Sequence, residues 1–266
     1  MNYLIALLCL SLACFANANT AAAATAPATL QLNYNVIAER SHKPTLFTQG
    51  LLLSGDHFYE SSGRYGKSLL VSYPIREPEG TWAKISAPFS QKKSLADKYF
   101  AEGLTLHNNK LYLLTWREKT LLVFDTPSLQ QIASINYSGE GWGLTSNGHQ
   151  LIRSDGSDRL FFHNPESFAV EKTLRVQLHN NPVGNLNELE YSEGFIWANV
   201  WQDNRIVKIS PDTGEVVGVL DLSALAQSLG LSDPESVLNG IAYDEKRKAF
   251  WITGKLWPTM FLIKIL

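Results

Sequence analysis

Five copies of one short motif divide this chain and constrain its fold more than any other feature. Each copy contains a step into Leu or Ile that opens a strand-like run: "FTQGLLL", "FAEGLTL", "GEGWGLT", "LNELEYS" and "LNGIAYD". A turn and two further strand-like runs follow each copy, such as "KLYLLTW" and "TLLVFDT". The residues before the step are Gln49, Glu102, Trp142, Asn187 and Asn239. A repeat of roughly 40 to 50 residues with this strand content is typical of β-propeller blades.

The repeat therefore predicts an all-β fold, a five-bladed β-propeller with four strands in each blade. Units one to four have a fourth run, namely "TWAKISAP", "QIASINY", "VEKTLRVQL" and "GEVVGVLDL", whereas the fifth unit ends at Leu266 after three. We expect residues 30–37, "LQLNYNVI", to supply the missing strand beside the C-terminal blade and to close the ring. Leucine spacing in residues 222–237 predicts an inserted short helix with a packing role.

The N-terminus has the features of an export signal. Residues 1–18 contain an apolar stretch too short to span a bilayer and end in an Ala-Asn-Ala cleavage site, so we expect a signal peptide. We expect residues 19–29 to form an Ala-rich low-complexity linker and residues 30–266 to form a single five-bladed propeller domain. The expected location is periplasmic or extracellular, with a lipid anchor at Cys14 as the alternative. Cys9 and Cys14 are the two cysteines, so the mature chain has none for disulfides, thiolate metal sites or nucleophilic catalysis.

The charge balance argues against nucleic acid as a partner. The formal net charge is −2, and no run of five like charges occurs. No second apolar stretch is long enough to cross a membrane, and we expect a monomer.

The propeller brings two sets of residues to one end of its channel. The first strand of each blade lines the channel, so the residues before the five steps converge there. The second strands end in another ring, which comprises Gly63, Trp116, Asp155, Trp201 and Lys255. We expect Trp257 to join Trp116, Trp142 and Trp201 around this cavity. A carboxylate such as Glu102 is costly in such apolar surroundings unless it is paired or protonated, which indicates a functional role.

Eight motifs in this order resemble the plant-type and bacterial glutaminyl-peptide cyclotransferases: "FTQGL", "FAEGL", "LLTW", "GEGWGLT", "SDGS", "NELEY", "WANVW" and "TGKLWP". The resemblance implies a five-bladed propeller that converts the N-terminal glutamine of peptides or proteins to pyroglutamate and releases ammonia. It implies that Glu102 transfers protons, and that Asn187 and Lys255 are its polar partners. It assigns the substrate pocket to Phe47, Gln49, Phe100, Trp116, Trp142 and Trp201.

The residues themselves are compatible with this chemistry. The α-amine attacks the γ-carboxamide of its own residue, so the enzyme needs to hold a near-attack geometry and move one proton. We expect aromatic surroundings to raise the pKa of Glu102. Lys255, helped by indole N–H groups, would stabilise the oxyanion, while Asn187 and Gln49 orient the amine and amide.

No metal or other cofactor is expected to be required, although a structural cation in the channel is possible. The six histidines are scattered, and "SDGSD" (residues 154–158) favours an Asx-type turn over a cation site. Two alternatives remain. One is a non-catalytic propeller module that binds peptide N-termini. The other is a lactonase-like hydrolase, which the single carboxylate of the first ring and the lysine of the second ring disfavour.

Overall fold

The structure is a computed structural model that describes residues 29–75, 88–126 and 128–266. The expected signal peptide and all but the last residue of the expected linker lie outside the described residues. Two strands precede the first repeat, β1 (Leu30–Leu32) and β2 (Tyr34–Ser41). The repeats then form five antiparallel sheets around a common axis, which confirms the predicted five-bladed propeller.

The strands of the first three blades follow the predicted order. Blade one contains β3 (Thr48–Ser54), β4 (His57–Ser62), β5 (Leu69–Pro74) and β6 (Gln91–Ser94). Blade two contains β7 (Ala101–His107), β8 (Lys110–Thr115), β9 (Thr120–Asp125) and β10 (Gln131–Asn136). Blade three contains β11 (Leu144–Ser146), β12 (Leu151–Ser154), β13 (Arg159–His163) and β14 (Val170–Arg175).

A small hairpin, β15 (Gln177–Leu178) and β16 (Asn181–Pro182), leads to the last two blades. Blade four contains β17 (Leu186–Ser192), β18 (Phe195–Val200), β19 (Arg205–Ile209) and β20 (Val216–Asp221). The helix α1 (Ser223–Ser228) follows. Blade five contains β21 (Leu238–Asp244), β22 (Ala249–Gly254) and β23 (Thr259–Ile265).

The innermost strands make a complete circle. β3 contacts β7, β7 contacts β11, β11 contacts β17, β17 contacts β21, and β21 contacts β3. These strands are buried on both faces, whereas an outermost strand such as β10 is almost entirely exposed. The arrangement explains why the inner runs read as apolar and small residues and the outer runs as polar ones.

The two N-terminal strands pair with different blades. β2 pairs antiparallel with β23, with Tyr34 opposite Ile265 and Ser41 opposite Thr259, and is the fourth strand of that sheet. β1 pairs in parallel with β20 of blade four. The strand expected over residues 30–37 is therefore two strands, and the one on blade five begins at Tyr34 and extends to Ser41.

Two other boundaries differ from those expected. The fourth strand of blade one is β6, not the run "TWAKISAP" (residues 81–88), of which residues 81–87 lie outside the described residues. The helix expected within residues 222–237 is limited to α1, and residues 229–237 are irregular. Leu222 and Leu225 are buried between blades four and five, as their spacing predicted.

Packing between blades supplies the core. Within the described residues, five buried apolar clusters occur, and each joins two neighbouring blades. At the junction of blades one and five, the fully buried Phe58 and Trp251 meet edge to face with ring centroids 5.6 Å apart. Truncation of such an aromatic side chain to Ala costs about 3–5 kcal/mol, so these contacts fix each blade relative to the next.

The hairpin turns have the backbone conformation that their sequences predict. Asn108 and Asn109, between β7 and β8, both have positive φ, as do Glu193 and Gly194, between β17 and β18. Two consecutive positive φ angles match a type I′ turn, whose twist suits a tight hairpin. In the part of the chain that the structure describes, no helix has the length and apolarity needed to cross a membrane.

Candidate active site

A cavity of about 610 Å³ opens at the end of the channel where the first strands begin and the second strands end. All nine residues that the sequence assigned to the site line it: Phe47, Gln49, Phe100, Glu102, Trp116, Trp142, Asn187, Trp201 and Lys255. Its volume lies within the range of ligand pockets in proteins. Six aromatic side chains line it, together with seven polar or charged ones.

A repeated irregularity of the inner strands marks the cavity. In four blades the pairing of the first and second strands shifts register at the residue before the step: Gln49, Glu102, Asn187 and Asn239. In blade three, Trp142 lies just before the start of β11. A β-bulge leaves a residue unpaired and turns its side chain away from the regular alternation, so the repeat gives each blade a residue at the channel end.

The carboxyl of Glu102 lies at the wall of this cavity and is nearly inaccessible to solvent, with 4% exposure. Nε2 of Gln49 donates a hydrogen bond to its Oε1 at 2.9 Å. Burial raises the pKa of Glu102 well above its usual range; Lys255 opposes this shift, and the charges of Glu140 and Glu118 add to it. Glu102 is therefore suited to hold a proton near neutral pH, as the sequence predicted.

Lys255 contributes a buried cation to the cavity, whose lining also contains the exposed Arg64. Its side chain is 5% exposed, and its Nζ lies 4.8 Å from the ring centroid of Phe47. Burial lowers the pKa of Lys255, while the charges of Glu102 and Glu235 partly offset this effect. Among the described residues, no carboxylate lies within ion-pair distance of Nζ, so its donors are available to a ligand.

Asn187 offers an acceptor. The residue is 3% exposed, and its Oδ1 has no hydrogen-bond partner within the described part of the chain. Its backbone carbonyl is held by the Oγ of Ser154 at 2.7 Å. A buried carbonyl oxygen without a donor is costly, so a ligand N–H in this cavity would satisfy it.

Both polar atoms of the Gln49 amide form hydrogen bonds with protein groups. Its Oε1 accepts a hydrogen bond from Nδ2 of Asn239 at 3.3 Å, and its Nε2 faces Glu102. Asn239 is itself held by the backbone carbonyl of Thr48 at 2.9 Å. The amide of Gln49 therefore contacts the carboxyl of Glu102, and the expected role of Gln49 in orienting the substrate amide stays a prediction.

Aromatic rings in edge-to-face contact form the walls. Phe100 meets Phe47 at 6.3 Å on one side and Trp116 at 5.5 Å on the other. Trp142 meets Trp201 at 5.6 Å with an interplanar angle of 88°. A Cβ on Gly156 would lie 2.6 Å from the ring of Trp142, so this glycine leaves the space that the indole occupies.

Three details of the sequence prediction are wrong. The indole N–H groups of Trp116 and Trp142 both donate to Oε2 of Glu140, at 2.7 and 3.0 Å, and are not free for an oxyanion. Trp257 is not among the lining residues; it is buried between blades four and five, and its indole N–H donates to the carbonyl of Ser236. In the second ring, Gly63 and Asp155 also do not line the cavity.

Six lining residues were not anticipated: Arg64, Tyr65, Gln202, Pro234, Glu235 and Val237. Three of them belong to the segment after α1, for which the sequence indicated only packing. Arg64 pairs with Glu235 at 2.9 Å across the mouth, and its guanidinium lies 4.6 Å from the ring centroid of Phe47. The positions of Arg64 and Gln202 just after the second strands were the available signal.

The residues that the structure describes contain no cluster of side chains suited to coordinate a metal ion. No group of three or more His, Cys, Asp or Glu side chains is arranged to hold a metal ion in residues 29–75, 88–126 and 128–266. In "SDGSD", Oδ1 of Asp155 accepts hydrogen bonds from the backbone N–H and the hydroxyl of Ser157. This is the Asx-type turn that the sequence favoured.

Comparison with known proteins gives consistent results. A family model described as glutamine cyclotransferase matches residues 6–265. A glutaminyl-peptide cyclotransferase of Arabidopsis thaliana is 37% identical over 234 residues, which are 86% of this chain and 70% of the relative. The crystal structure of Myxococcus xanthus glutaminyl cyclase superimposes with a TM-score of 0.82 at 37% identity and covers 90% of this chain and 98% of the other.

Proposed function

Because this chain belongs to the glutamine cyclotransferase family and is a glutaminyl-peptide cyclotransferase, we propose that the cavity described above is its active site. In this reaction the α-amine of an N-terminal glutamine attacks the γ-carboxamide carbon of the same residue. One C–N bond forms, one C–N bond breaks, and a proton moves from the attacking nitrogen to the departing one, which leaves as ammonia. The observation that supports this assignment is the presence of a buried carboxyl, Glu102, and a buried cation, Lys255, in one aromatic cavity.

The aromatic walls serve to hold the glutamine side chain in a folded conformation. A five-membered ring forms only when the amine approaches the amide carbon, and enforcing this geometry supplies a large part of the acceleration in intramolecular reactions. Oδ1 of Asn187 accepts one N–H of the α-amine and directs its lone pair toward the carbonyl carbon. The burial of this oxygen without a partner among the described residues supports the assignment.

Lys255 stabilises the negative charge that develops on the amide oxygen. Because the indole N–H groups of Trp116 and Trp142 are engaged by Glu140, the ammonium of Lys255 is the donor that this mechanism uses. A preorganised charge in a cavity shielded from water acts more strongly than the same charge in solution. Its position in the cavity lining leaves Nζ able to reach a ligand.

Glu102 transfers the proton. As a general base it accepts a proton from the attacking amine, and as a general acid it returns that proton to the nitrogen of the departing ammonia. A raised pKa suits this double role because the carboxyl is then basic enough to take the proton and acidic enough to release it. The hydrogen bond from Gln49 fixes which oxygen of Glu102 remains free to do so.

We also propose that the protein is exported and acts as a periplasmic or extracellular monomer on peptides or proteins with N-terminal glutamine. The sequence of residues 1–18 supports a cleaved signal peptide, with a lipid anchor at Cys14 as the alternative. No step above requires a metal or organic cofactor, and a cation in the channel would have a structural role.

The test is incubation of the full chain with a peptide that begins with glutamine. The proposal predicts loss of the mass of one ammonia, release of free ammonia, no effect of a chelator, and loss of at least about 100-fold in kcat on Glu102→Gln. A chelator-sensitive reaction would favour the lactonase-like alternative. Tight binding with no change in mass would instead identify a module that binds peptide N-termini.

A further inference from the structure

Glu140 joins two walls of the cavity that come from different blades. It lies in the loop between β10 and β11, and its Oε2 accepts the indole N–H of Trp116 at 2.7 Å and that of Trp142 at 3.0 Å. Its Oε1 lies 3.4 Å from Nε of Arg117. One carboxylate therefore sets the orientation of an indole after β8 and of an indole before β11.

Hydrogen bonds from a residue of blade three hold the loop that carries Glu140. Arg153 on β12 is buried, and its guanidinium donates to the backbone carbonyls of Glu140 and Ser138. In the loop, a Cβ on Gly141 would clash with the hydroxyl oxygen of Tyr137 and lie 3.1 Å from the backbone carbonyl oxygen of Thr115, so a larger residue there would displace the ring of Tyr137 or the loop. These contacts give Glu140 a fixed position.

Both indoles depend on this anchor because neither is fully enclosed. Trp116 and Trp142 are half-buried, and each contacts another aromatic ring only along an edge. Arg117 lies 3.9 Å from the ring centroid of Trp116 and completes the contact. An indole N–H with a strong acceptor resists rotation of its ring, and rotation of either ring would change the width of the cavity.

We propose that Glu140 is a positioning residue that holds the indoles of Trp116 and Trp142 in the orientation required to fold the glutamine side chain. This proposal rests on the assignment of the cavity as the active site. Glu140 is not among the lining residues, so it acts through the two tryptophans. Its role differs from that of Lys255 and Glu102, which face the reacting atoms.

The variant that tests this role is Glu140→Gln, with Glu118→Gln as its matched control. A glutamine has a single acceptor oxygen, so its NH₂ group must face either Nε of Arg117 or the two indole N–H groups that share Oε2. In the first case both indole hydrogen bonds lose their charged acceptor and weaken, and in the second case both are lost. Glu118 also raises the pKa of Glu102, but it accepts the hydroxyl of Tyr65 at 2.8 Å and the backbone N–H of Phe100 at 3.2 Å instead of an indole. Both variants remove one negative charge near Glu102, and only the first weakens or removes the hydrogen bonds of the two indoles.

Two measurements distinguish the positioning of the indoles from the loss of a negative charge near Glu102. In ¹⁵N-tryptophan spectra, with Trp116 and Trp142 assigned from their Phe variants, Glu140→Gln is expected to shift one or both indole N–H resonances while Glu118→Gln leaves them in place. We expect kcat/KM of Glu140→Gln to fall by roughly 10- to 100-fold, with part of the loss in KM, since a displacement near 1 Å is enough for such an effect. In a Trp116→Phe background the same substitution should cost less, because one of its two donors is gone.

The spectra also keep this proposal separate from the assignment of the site, since they require no turnover. If the wild-type chain does not cyclise a glutamine peptide, the site assignment fails while the indole shifts still test the anchor. Unmoved indole resonances in Glu140→Gln would overturn the proposal. So would an equal loss of kcat/KM in Glu118→Gln, because the charge and not the orientation of the indoles would then be responsible. Glu140→Asp, which keeps the charge but shortens the reach, provides the same measurements if Glu140→Gln does not fold.

Discussion

Nε2 of Gln49 donates a 2.9 Å hydrogen bond to Oε1 of Glu102, and Asn239 fixes the amide of Gln49 from its other side. The donor favours the charged form of Glu102, so it lowers a pKa that burial raises. Gln49 and Asn239 come from β3 and β21, the inner strands that meet where the ring closes. The ionisation of the proposed catalytic carboxyl thus depends on contacts across that junction.

Gln49→Met is expected to move the Glu102-dependent limb of the pH–rate profile to higher pH, because the carboxylate loses its donor. Kcat/KM at neutral pH should fall by about tenfold, as expected for the loss of one hydrogen bond to a charged group. The groups that face Glu102 are Lys255, Glu140 and Glu118. Glu118→Gln should move the same limb the other way, and movement of both variants in one direction would contradict the assignment.

Glu102→Gln is expected to stabilise the fold while it removes activity. The pKa of Glu102 is raised on folding, so between the unfolded pKa and the folded one the native state binds more protons and stability declines as pH rises. A neutral glutamine removes that cost, and about 1.4 kcal/mol of stability corresponds to each tenfold difference between the two acid dissociation constants. The melting temperature should rise at pH 7, and the gain should shrink toward pH 4. An equal gain at both pH values would exclude this cause.

Lys255→Met should reduce kcat more than it changes KM. Removal of one preorganised donor at an oxyanion typically costs about 10²–10³ in kcat, and a methionine fills a similar volume. The side chain of Lys255 is buried, and burial disfavours its charged form. We therefore also expect Lys255→Met to stabilise the fold. Steady-state kinetics and thermal melts on the same sample check both effects. A loss confined to KM would place Lys255 in substrate binding alone.

The two rings of residues around the cavity could be predicted from the sequence because the same motif recurs in every blade. Glu102 and Asn187 precede the step in their blades, and Lys255 directly follows the second strand of blade five, so all three adjoin runs whose hydrophobic pattern is strong. By contrast, β6 is an outer strand of polar residues, "QKKS", and burial does not specify it.

Side chains outside the repeat could not be located in this way. Glu140 lies in a loop with three glycines, where an acidic residue ordinarily faces water, and its role depends on a contact between two blades. Glu235 belongs to the irregular segment after α1, and no sequence periodicity predicts the path of that segment. Trp257 follows Lys255 closely, but Leu256 has a positive φ and the N–H of Trp257 bonds back to the carbonyl of Gly254. That turn carries the indole into the core.

A buried ion pair at the junction of blades one and five should make stability depend on pH. Nδ1 of His42 contacts the carbonyl of Trp257 at 2.7 Å, and its Nε2 lies 3.1 Å from both oxygens of Glu60. Burial alone would lower the pKa of His42, but the charge and hydrogen bond of Glu60 raise it overall. Burial likewise opposes the ionisation of Glu60, and His42, Tyr73 and Thr48 together lower its pKa.

The contribution of His42 is complete below the unfolded pKa of histidine and is lost as pH rises through the raised value in the folded state. The contribution of Glu60 is present above the unfolded pKa of glutamate and is lost as pH falls through its lowered value. Glu60→Gln should therefore cost about 3–5 kcal/mol, the usual effect of removing one partner of a buried pair. Denaturant unfolding from pH 5 to 9 checks this. His57→Gln, at an exposed pair with Asp56, is the control and should leave the curve unchanged.

The pairing of β2 with β23 predicts that the N-terminal segment is part of the fold and is not a tail. Residues 34–41 cover the edge of the last blade, and Ala38 is buried in the cluster shared by blades one and five. A chain that begins at Thr29 should melt at the temperature of the full protein. A chain that begins at His42 should lose at least about 10 °C, at the rate of about 2–4 °C per kcal/mol for a protein of this size, or aggregate through the exposed edge.

A peptide of residues 29–41 added to the shorter chain distinguishes strand pairing from loss of length. The wild-type peptide should restore the melting temperature in proportion to its concentration, because ligand binding to the native state stabilises it by mass action. The same peptide with Ala38→Asp should fail, since that carboxylate would be buried without a partner. If the chain that begins at His42 melted like the chain that begins at Thr29, β2 would be dispensable and the first and last blades would be held together by their inner strands and the packed core alone.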